Sequence, residues 1–236
     1  MEPRLRRVGH KGADLIEPGN TRASFDAARA HGVDMIELDV LPERDGEGRL
    51  LLAHDYKDAA RRTPLTLDDG LAYLASEAFA ELEFIVDLKL PGYETEVLEA
   101  LGRHGLERRV VVSTMYRESL RALRSADEQI RLGWSVPRAR RDYLGSRLYA
   151  GPALAALAAM RITQPGRARA AIESGLCDVV LAHWRLVTPR LVRAVKAAGG
   201  ELYVWTVDEA PRIRALGELG VTGVITNDPR LFSAPA

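Results

Sequence analysis

Two acidic residues spaced by one position, Glu37 and Asp39, interrupt a stretch whose apolar character comes from Val33, Met35, Ile36, Leu38 and Val40. On a strand, side chains alternate between faces, so these two carboxylates point the same way. Side by side on a buried face they repel each other and lose their hydration, and the arrangement needs a cation or a shared proton to compensate. The alternative is an amphipathic strand whose polar face meets water. The neighbouring strand candidates read as buried on both faces, which favours a metal site over a wet face.

These residues need elements to position them, and the chain provides a regular alternation. Apolar runs suited to strands are Leu5–Gly9, Val33–Val40, Phe84–Lys89, Val110–Ser113, Arg131–Ser135, Asp178–Leu181, Glu201–Thr206 and Val221–Thr226. Amphipathic stretches between them predict helices over Thr21–His31, Leu67–Ala75, Glu94–His104, Arg117–Arg124, Pro152–Ala159, Pro189–Ala198 and Pro211–Leu219. Thr66 is a candidate N-cap, as is Asn20 or Thr21, and Gly199-Gly200 closes the helix that Pro189 opens. The turn Arg44-Asp45-Gly46-Glu47-Gly48 followed by Leu50–Ala53 predicts a hairpin after the second strand. Residues Arg140–Ser146 are the least periodic and predict a loop or an irregular helix.

Strands alternating with helices imply parallel pairing through helical crossovers. About eight such units in a chain of 236 residues match a (β/α)8 barrel, and a doubly wound open sheet would carry fewer. One domain over residues 1–236 is expected. Gly9-His10-Lys11-Gly12 lacks the spacing of a nucleotide-binding glycine loop.

Bulk properties exclude several classes. Lysine plus arginine and aspartate plus glutamate each number 33, so no basic surface for nucleic acid is expected. The lone Cys177 excludes an intramolecular disulfide and a cysteine-based zinc site, and reads as a buried thiol. Met1–Arg7 has no apolar signal core and no window has the length of a membrane span, so a cytoplasmic enzyme is the expectation. The oligomeric state is left open.

In a (β/α)8 barrel, chemistry sits at the C-terminal ends of the strands. That rule gathers His10 and Lys11, Glu37 and Asp39, His54 and Asp55, Asp87 and Lys89, Ser113 and Thr114, His183 and Trp184, Trp205 and Thr206, and Asn227 and Asp228 at one mouth. Carboxylates without cysteine suit a hard divalent cation, Mg²⁺ or Ca²⁺. Lysines beside such an ion suit a phosphate, and paired histidines suit proton transfer to and from alcohol oxygens.

With these residues placed, the sequence resembles the glycerophosphodiester phosphodiesterases. The resemblance rests on Gly9-His10-Lys11-Gly12-Ala13, Pro18-Gly19-Asn20-Thr21, Gly32–Val40, His54-Asp55, Asp87-Leu88-Lys89, Val204–Val207 and Gly220–Pro229, in the family's order and spacing. It implies a barrel that hydrolyses glycerophosphodiesters to glycerol phosphate and an alcohol with one divalent cation. It implies Glu37, Asp39 and Asp87 as metal ligands, Asp87 standing where the family more often has Glu. It implies His10 and His54 as the acid/base pair, with a glycerol hydroxyl attacking first and water opening the resulting cyclic phosphate. Lys11 and Lys89 would bind phosphate, and Trp205 would line the glycerol side.

Two positions depart from the family pattern. Lys11 replaces an arginine, losing the bidentate fork, and Gly19 replaces a glutamate. Both lie at the same mouth, and a linked exchange is expected if the missing carboxylate normally holds the missing guanidinium. Glu17 is a candidate replacement. The other readings of the chain are phospholipase D-type action on lysophospholipids, which would call for exposed apolar loops, and a catalytically weak barrel used as a binding module. His31 and His104 read as helix-end residues, His183 as a possible pocket residue, Asp55 as a loop-fixing residue, Trp134 and Trp184 as wall or core residues, and Arg138–Arg141 as a solvated basic face.

Overall fold

The computed structural model describes residues 4–44, 48–137 and 150–233. Among the described residues, nine strands follow in chain order: β1 (Arg6–Gly9), β2 (Met35–Pro42), β3 (Leu50–Leu52), β4 (Glu83–Leu88), β5 (Val110–Thr114), β6 (Arg131–Val136), β7 (Val179–His183), β8 (Glu201–Trp205) and β9 (Gly223–Thr226). Eight of them pair in parallel in the order β2-β4-β5-β6-β7-β8-β9-β1, and β1 pairs back onto β2 to close a barrel. The ninth, β3, pairs antiparallel to β2 at its C-terminal end and forms the expected hairpin. The predicted basic face and irregular segment at residues 138–146 lie outside the described residues.

The helices are α1 (Arg22–Ala30), α2 (Tyr56–Ala59), α3 (Leu67–Leu74), α4 (Glu94–Arg103), α5 (Arg117–Ala126), α6 (Ala150–Glu173), α7 (Pro189–Ala197) and α8 (Ala210–Leu219). Their starts follow local chemistry. The Thr21 hydroxyl accepts from the Ser24 amide in a capping box, Thr66 caps α3, and Thr188 caps α7 just ahead of Pro189. Asp55 accepts from the Lys57 and Asp58 amides and so caps the short α2, the loop-fixing role expected of it.

The prediction for α6 is too short. Predicted over Pro152–Ala159, the helix runs on to Glu173 through Pro165. The inward stripe is Gln164, Ala168 and Ala171, all buried and spaced by about one turn each. Alanines give a weak apolar signal and a proline reads as a stop, so the periodicity is invisible until the sheet surface beneath it is in place.

The barrel interior is stratified. At the bottom, alternate strands contribute Arg6, Glu83, Arg131 and Glu201, a layer of four of the kind this architecture uses. They form a chain of ion pairs: Arg6–Glu83 at 2.6 Å, Arg131–Glu83 at 2.8 Å and Arg131–Glu201 at 2.7 Å. Above lies an apolar plug of Val8, Met35, Ile85, Val111, Val179, Leu181, Tyr203 and Ile225. Gly133 leaves room for it: a Cβ there would lie 2.5 Å from Leu181 Cδ1. The next inward positions on the same strands carry the polar groups of the mouth. Outside the strands, the buried faces of the helices make the larger core, where Cys177 sits at 1% exposure and Trp134 is buried.

Glu83 faces two arginines, and they more than offset the upward push of burial, so its carboxyl is held below the usual range. A folded-state pKa depressed in this way contributes stability above the unfolded value of about 4.3 and loses it as pH falls through the folded value. Glu83→Gln is expected to cost about 1–3 kcal/mol at pH 7, because Arg6 and Arg131 are left facing each other half-buried. In urea unfolding, the variant should also lose stability less steeply than wild type below about pH 4.5. Identical slopes would mean that the layer contributes no net electrostatic stability.

Candidate active site

The turn after β1 has unusual backbone. Lys11 sits at φ 51° and Gly12 at φ 89°, and a Cβ on Gly12 would lie 2.6 Å from Ser24. This turn aims the Lys11 amide at Glu37 Oε2, 2.9 Å away. Asn20, at φ 58°, is also left-handed, a conformation that asparagine tolerates better than most residues. It does not cap α1. Its side chain is fully buried and clamps Asp39 twice: Nδ2 donates to Asp39 Oδ2 at 3.0 Å, and the Asp39 amide donates to its Oδ1 at 3.0 Å.

Glu37 and Asp39 both point into the barrel from β2, and the sheet register sets Asp87 directly beside Asp39 on β4. The three carboxylates are buried, and one oxygen from each lies within 4.8 Å of the others. The shorter Asp87 side chain therefore reaches the cluster, because its strand position is adjacent. Ser113 donates to Asp87 Oδ1 at 2.5 Å and Ser135 at 3.4 Å, which turns Asp87 Oδ2 toward Lys89 at 2.6 Å. The Lys89 ammonium also contacts Asp39 Oδ1, an oxygen that accepts no well-aligned hydrogen bond.

The electrostatics of the two acids on β2 diverge. Burial, reinforced by the Asp39 charge, raises the Glu37 pKa well above the ordinary glutamate value. Burial pushes Asp39 the same way, but Lys89, His54 and His10 outweigh it and hold Asp39 low. Burial would lower the Lys89 pKa, and Asp39, Asp87 and Glu37 together raise it instead. Three clustered carboxylate oxygen donors suit a hard divalent cation.

A cavity of about 150 Å³ opens over this cluster, walled by His10, Glu37, His54, Asp87, Lys89, Ser113, Met115, Ser135, Leu181, Trp205, Thr206 and Ile225. His10 Nε2 lies 3.9 Å from Glu37 Oε2. Burial lowers the His10 pKa, which favours the neutral ring. His54 follows β3, so the hairpin carries it to the wall, where its side chain keeps 52% exposure. Trp205 is fixed by its indole N–H, which donates to Leu181 O at 3.0 Å.

The predicted site residues thus converge, with two qualifications. Asp39 is fully buried beneath Lys89. Lys11 stands beside the cavity wall, with its ammonium on Asp14 at 2.7 Å. Glu17 is exposed and is not the replacement carboxylate. Asp14 is: it binds Lys11 and also accepts the Gly19 amide at 2.9 Å. His183 ends β7, packing edge-on against Trp205 at 5.2 Å, and Trp184 stacks under Arg212 at 3.8 Å. His31 and His104 are helix C-caps, as expected. Sequence reasoning missed Asn20, Ser135, Asp14 and Asp208 as supporting groups. Ser113 and Asn227 were legible only as polar residues at strand ends.

A sequence model described as the glycerophosphoryl diester phosphodiesterase family matches residues 75–231. The chain is 24% identical to a glycerophosphodiester phosphodiesterase of Caldanaerobacter subterraneus, over 94% of this chain and 93% of that one. Its fold is similar to that of a glycerophosphodiester phosphodiesterase from Parabacteroides distasonis, with a TM-score of 0.75, 14% identity and 99% coverage of both chains. It is also similar to an Oleispira antarctica phosphodiesterase solved with the product sn-glycerol-3-phosphate, with a TM-score of 0.70, 19% identity and coverage of 98% and 96%.

The space beside Gly19 is taken. A Cβ there would lie 2.4 Å from Asp14 Oδ1 and 2.8 Å from Lys11 Cβ. The linked exchange of Lys11 and Gly19 is therefore a three-residue matter. Gly19→Glu alone, or with Lys11→Arg, should destabilise the fold by about 1–3 kcal/mol through overpacking. Adding Asp14→Ala should recover more than additivity allows in urea unfolding. An additive result would mean that residue 19 and Asp14 do not compete for one space.

Proposed function

Because the chain belongs to the glycerophosphoryl diester phosphodiesterase family, we propose that its mouth hydrolyses glycerophosphodiesters with one divalent cation, Mg²⁺ or Ca²⁺, and with His10 and His54 as the acid/base pair. Family membership makes it a phosphoric diester hydrolase acting on glycerophosphodiesters to release glycerol phosphate. The residue roles are our reading, and the observation that carries them is the buried triad Glu37, Asp39 and Asp87 beneath a cavity that both histidines wall.

Glu37, Asp39 and Asp87 would hold the cation, which when bound neutralises phosphate charge and acidifies a nearby hydroxyl. Lys89, already drawn to the cluster by Asp39 and Asp87, offers its ammonium to a phosphate oxygen. Trp205 presents an apolar wall to the glycerol carbons. One histidine takes the proton of the attacking glycerol hydroxyl, and the other gives a proton to the departing alcohol oxygen. In the second half, the roles reverse: water loses a proton to the second histidine, and the glycerol oxygen regains one from the first. Both rings end as they began.

The small cavity supports a compact substrate. Among the described residues, the exposed large apolar side chains are Leu15, in the turn after β1, and Leu154 and Ile162, about two turns apart on α6, three side chains that do not make the apolar loop a lysolipid would call for. No helix among the described residues is long and apolar enough to cross a membrane. The convergence of the acids, both histidines and Lys89 argues against a silent binding module.

Release of glycerol phosphate from glycerophosphocholine, beside a lysophospholipid, tests the reading across Mg²⁺, Ca²⁺ and Mn²⁺. Activity should vanish on chelation and return with the right ion, and lysolipid turnover should be the weaker. Metal-independent hydrolysis would remove the cation from the scheme. His10→Ala and His54→Ala should each lower turnover by roughly 10²–10⁴-fold with folding intact. A variant near wild-type rate would take that histidine out of the acid/base role.

A further inference from the structure

His10 is gripped on the side away from the cavity. Its Nδ1 lies 2.5 Å from Asn227 Oδ1. An amide can turn either oxygen or nitrogen toward a ring, so the partner of Asn227 decides which it is. That partner is Asp208, whose Oδ2 lies 2.7 Å from Asn227 Nδ2. A carboxylate accepts, so the amide nitrogen must face Asp208 and the amide oxygen must face His10. Asp208 cannot swing away freely, because its Oδ1 accepts the Asn227 backbone N–H at 2.8 Å and the Thr226 hydroxyl at 3.0 Å. The three residues follow the ends of β8, β9 and β1, which are neighbours around the barrel.

We propose that Asn227 and Asp208 are positioning residues that hold His10 in the tautomer protonated on Nδ1, leaving the Nε2 lone pair to take the proton of the attacking hydroxyl. An oxygen acceptor at Nδ1 requires a hydrogen there, and a neutral imidazole carries only one. Nε2 is the atom that faces Glu37 and the cavity. A ring left to itself prefers the proton on Nε2 and would present a donor where a base is needed. When the hydroxyl O–H breaks and Nε2–H forms, Nδ1–H stays on Asn227, and the Asp208 carboxylate beyond the amide opposes the new positive charge. Among the described residues, His54 has a looser partner: its Nδ1 lies 3.6 Å from an exposed Asp55 carboxylate. This assigns His10 the first proton transfer. It rests on the acid/base reading above, although the tautomer itself needs no substrate to be measured.

The test is the ¹⁵N histidine spectrum of the metal-free protein, in which five histidines make assignment by His10→Gln practical. Wild type should show a pyrrole-type Nδ1 and a pyridine-type Nε2 at His10. Asn227→Ala should move the ring toward the opposite tautomer and lower kcat about 10–100-fold, with KM within about twofold. Asn227→Asp combined with Asp208→Asn, which keeps an acceptor oxygen on Nδ1 and a donor–acceptor pair behind it, should retain the tautomer and most of kcat. Wild-type His10 protonated on Nε2 would overturn the proposal, as would an Asn227→Ala variant with unchanged tautomer and kcat. Should Asn227→Ala fail to fold, the wild-type spectrum and that of Asp208→Asn, in which the amide loses its orientation, decide the matter. If the tautomer is as proposed but no glycerophosphodiester is hydrolysed, the functional reading fails and the tautomer assignment stands.

Discussion

Three buried carboxylates within 4.8 Å of one another are the constraint around which the mouth of this barrel is built. Like charges at that separation in a buried site cannot all ionise without compensation. The chain provides several partial answers. Lys89 bridges Asp39 and Asp87, Asn20 clamps Asp39, two serine hydroxyls turn toward Asp87, and the Lys11 amide meets Glu37. Burial and the Asp39 charge raise the Glu37 pKa, and Lys89 and the Lys11 amide only partly oppose them. Two acids two residues apart on one strand thus have their pKa values pushed in opposite directions, set by what surrounds each one. A site tuned this way is poised for a cation, which would relieve the repulsion that the side chains only partly offset.

The barrel turns that local demand into a stratified interior. Charged residues close the bottom, apolar residues fill the middle, and acidic, basic and hydroxyl groups open the top. The apolar plug matters for the chemistry above it. It keeps water from reaching the acids from below, so the electrostatic interactions at the mouth act in a lower dielectric. It also fixes strand register, and register puts Asp87 beside Asp39. A shift of one residue would turn every one of these side chains out of the barrel.

The support of the mouth is spread around the ring of strands. Asp208 and Asn227 act on His10 from β8 and β9, Ser113 and Ser135 act on Asp87 from β5 and β6, and the β3 hairpin brings His54. Asp14 shows how such a network absorbs change. Its carboxylate takes up the volume that a side chain at position 19 would fill, and it binds the Lys11 ammonium and the Gly19 amide together. The departures at 11 and 19 are therefore part of one local arrangement with a third member.

Much of this was legible in the residues themselves. Alternation of apolar runs with helical stretches determined the (β/α)8 order, because strand and helix periodicities are local properties of the chain. The strand-end rule then placed Glu37, Asp39, Asp87, His10, His54, Lys89 and Trp205 at one mouth. What the sequence could not determine was who holds whom. Of the two cap candidates, Thr21 caps α1 and Asn20 clamps Asp39 instead, Glu17 read as a candidate for part of the missing acid and Asp14 is the carboxylate that holds Lys11, and α6 continues through a proline on a stripe of alanines. These outcomes depend on left-handed backbone at Lys11 and Asn20, on the width of the space at Gly19 and on the sheet surface under α6. They were decided only by the tertiary structure, because hydrogen-bond partners far apart in the chain are chosen by geometry within a few ångströms, and residue type and spacing carry no record of that.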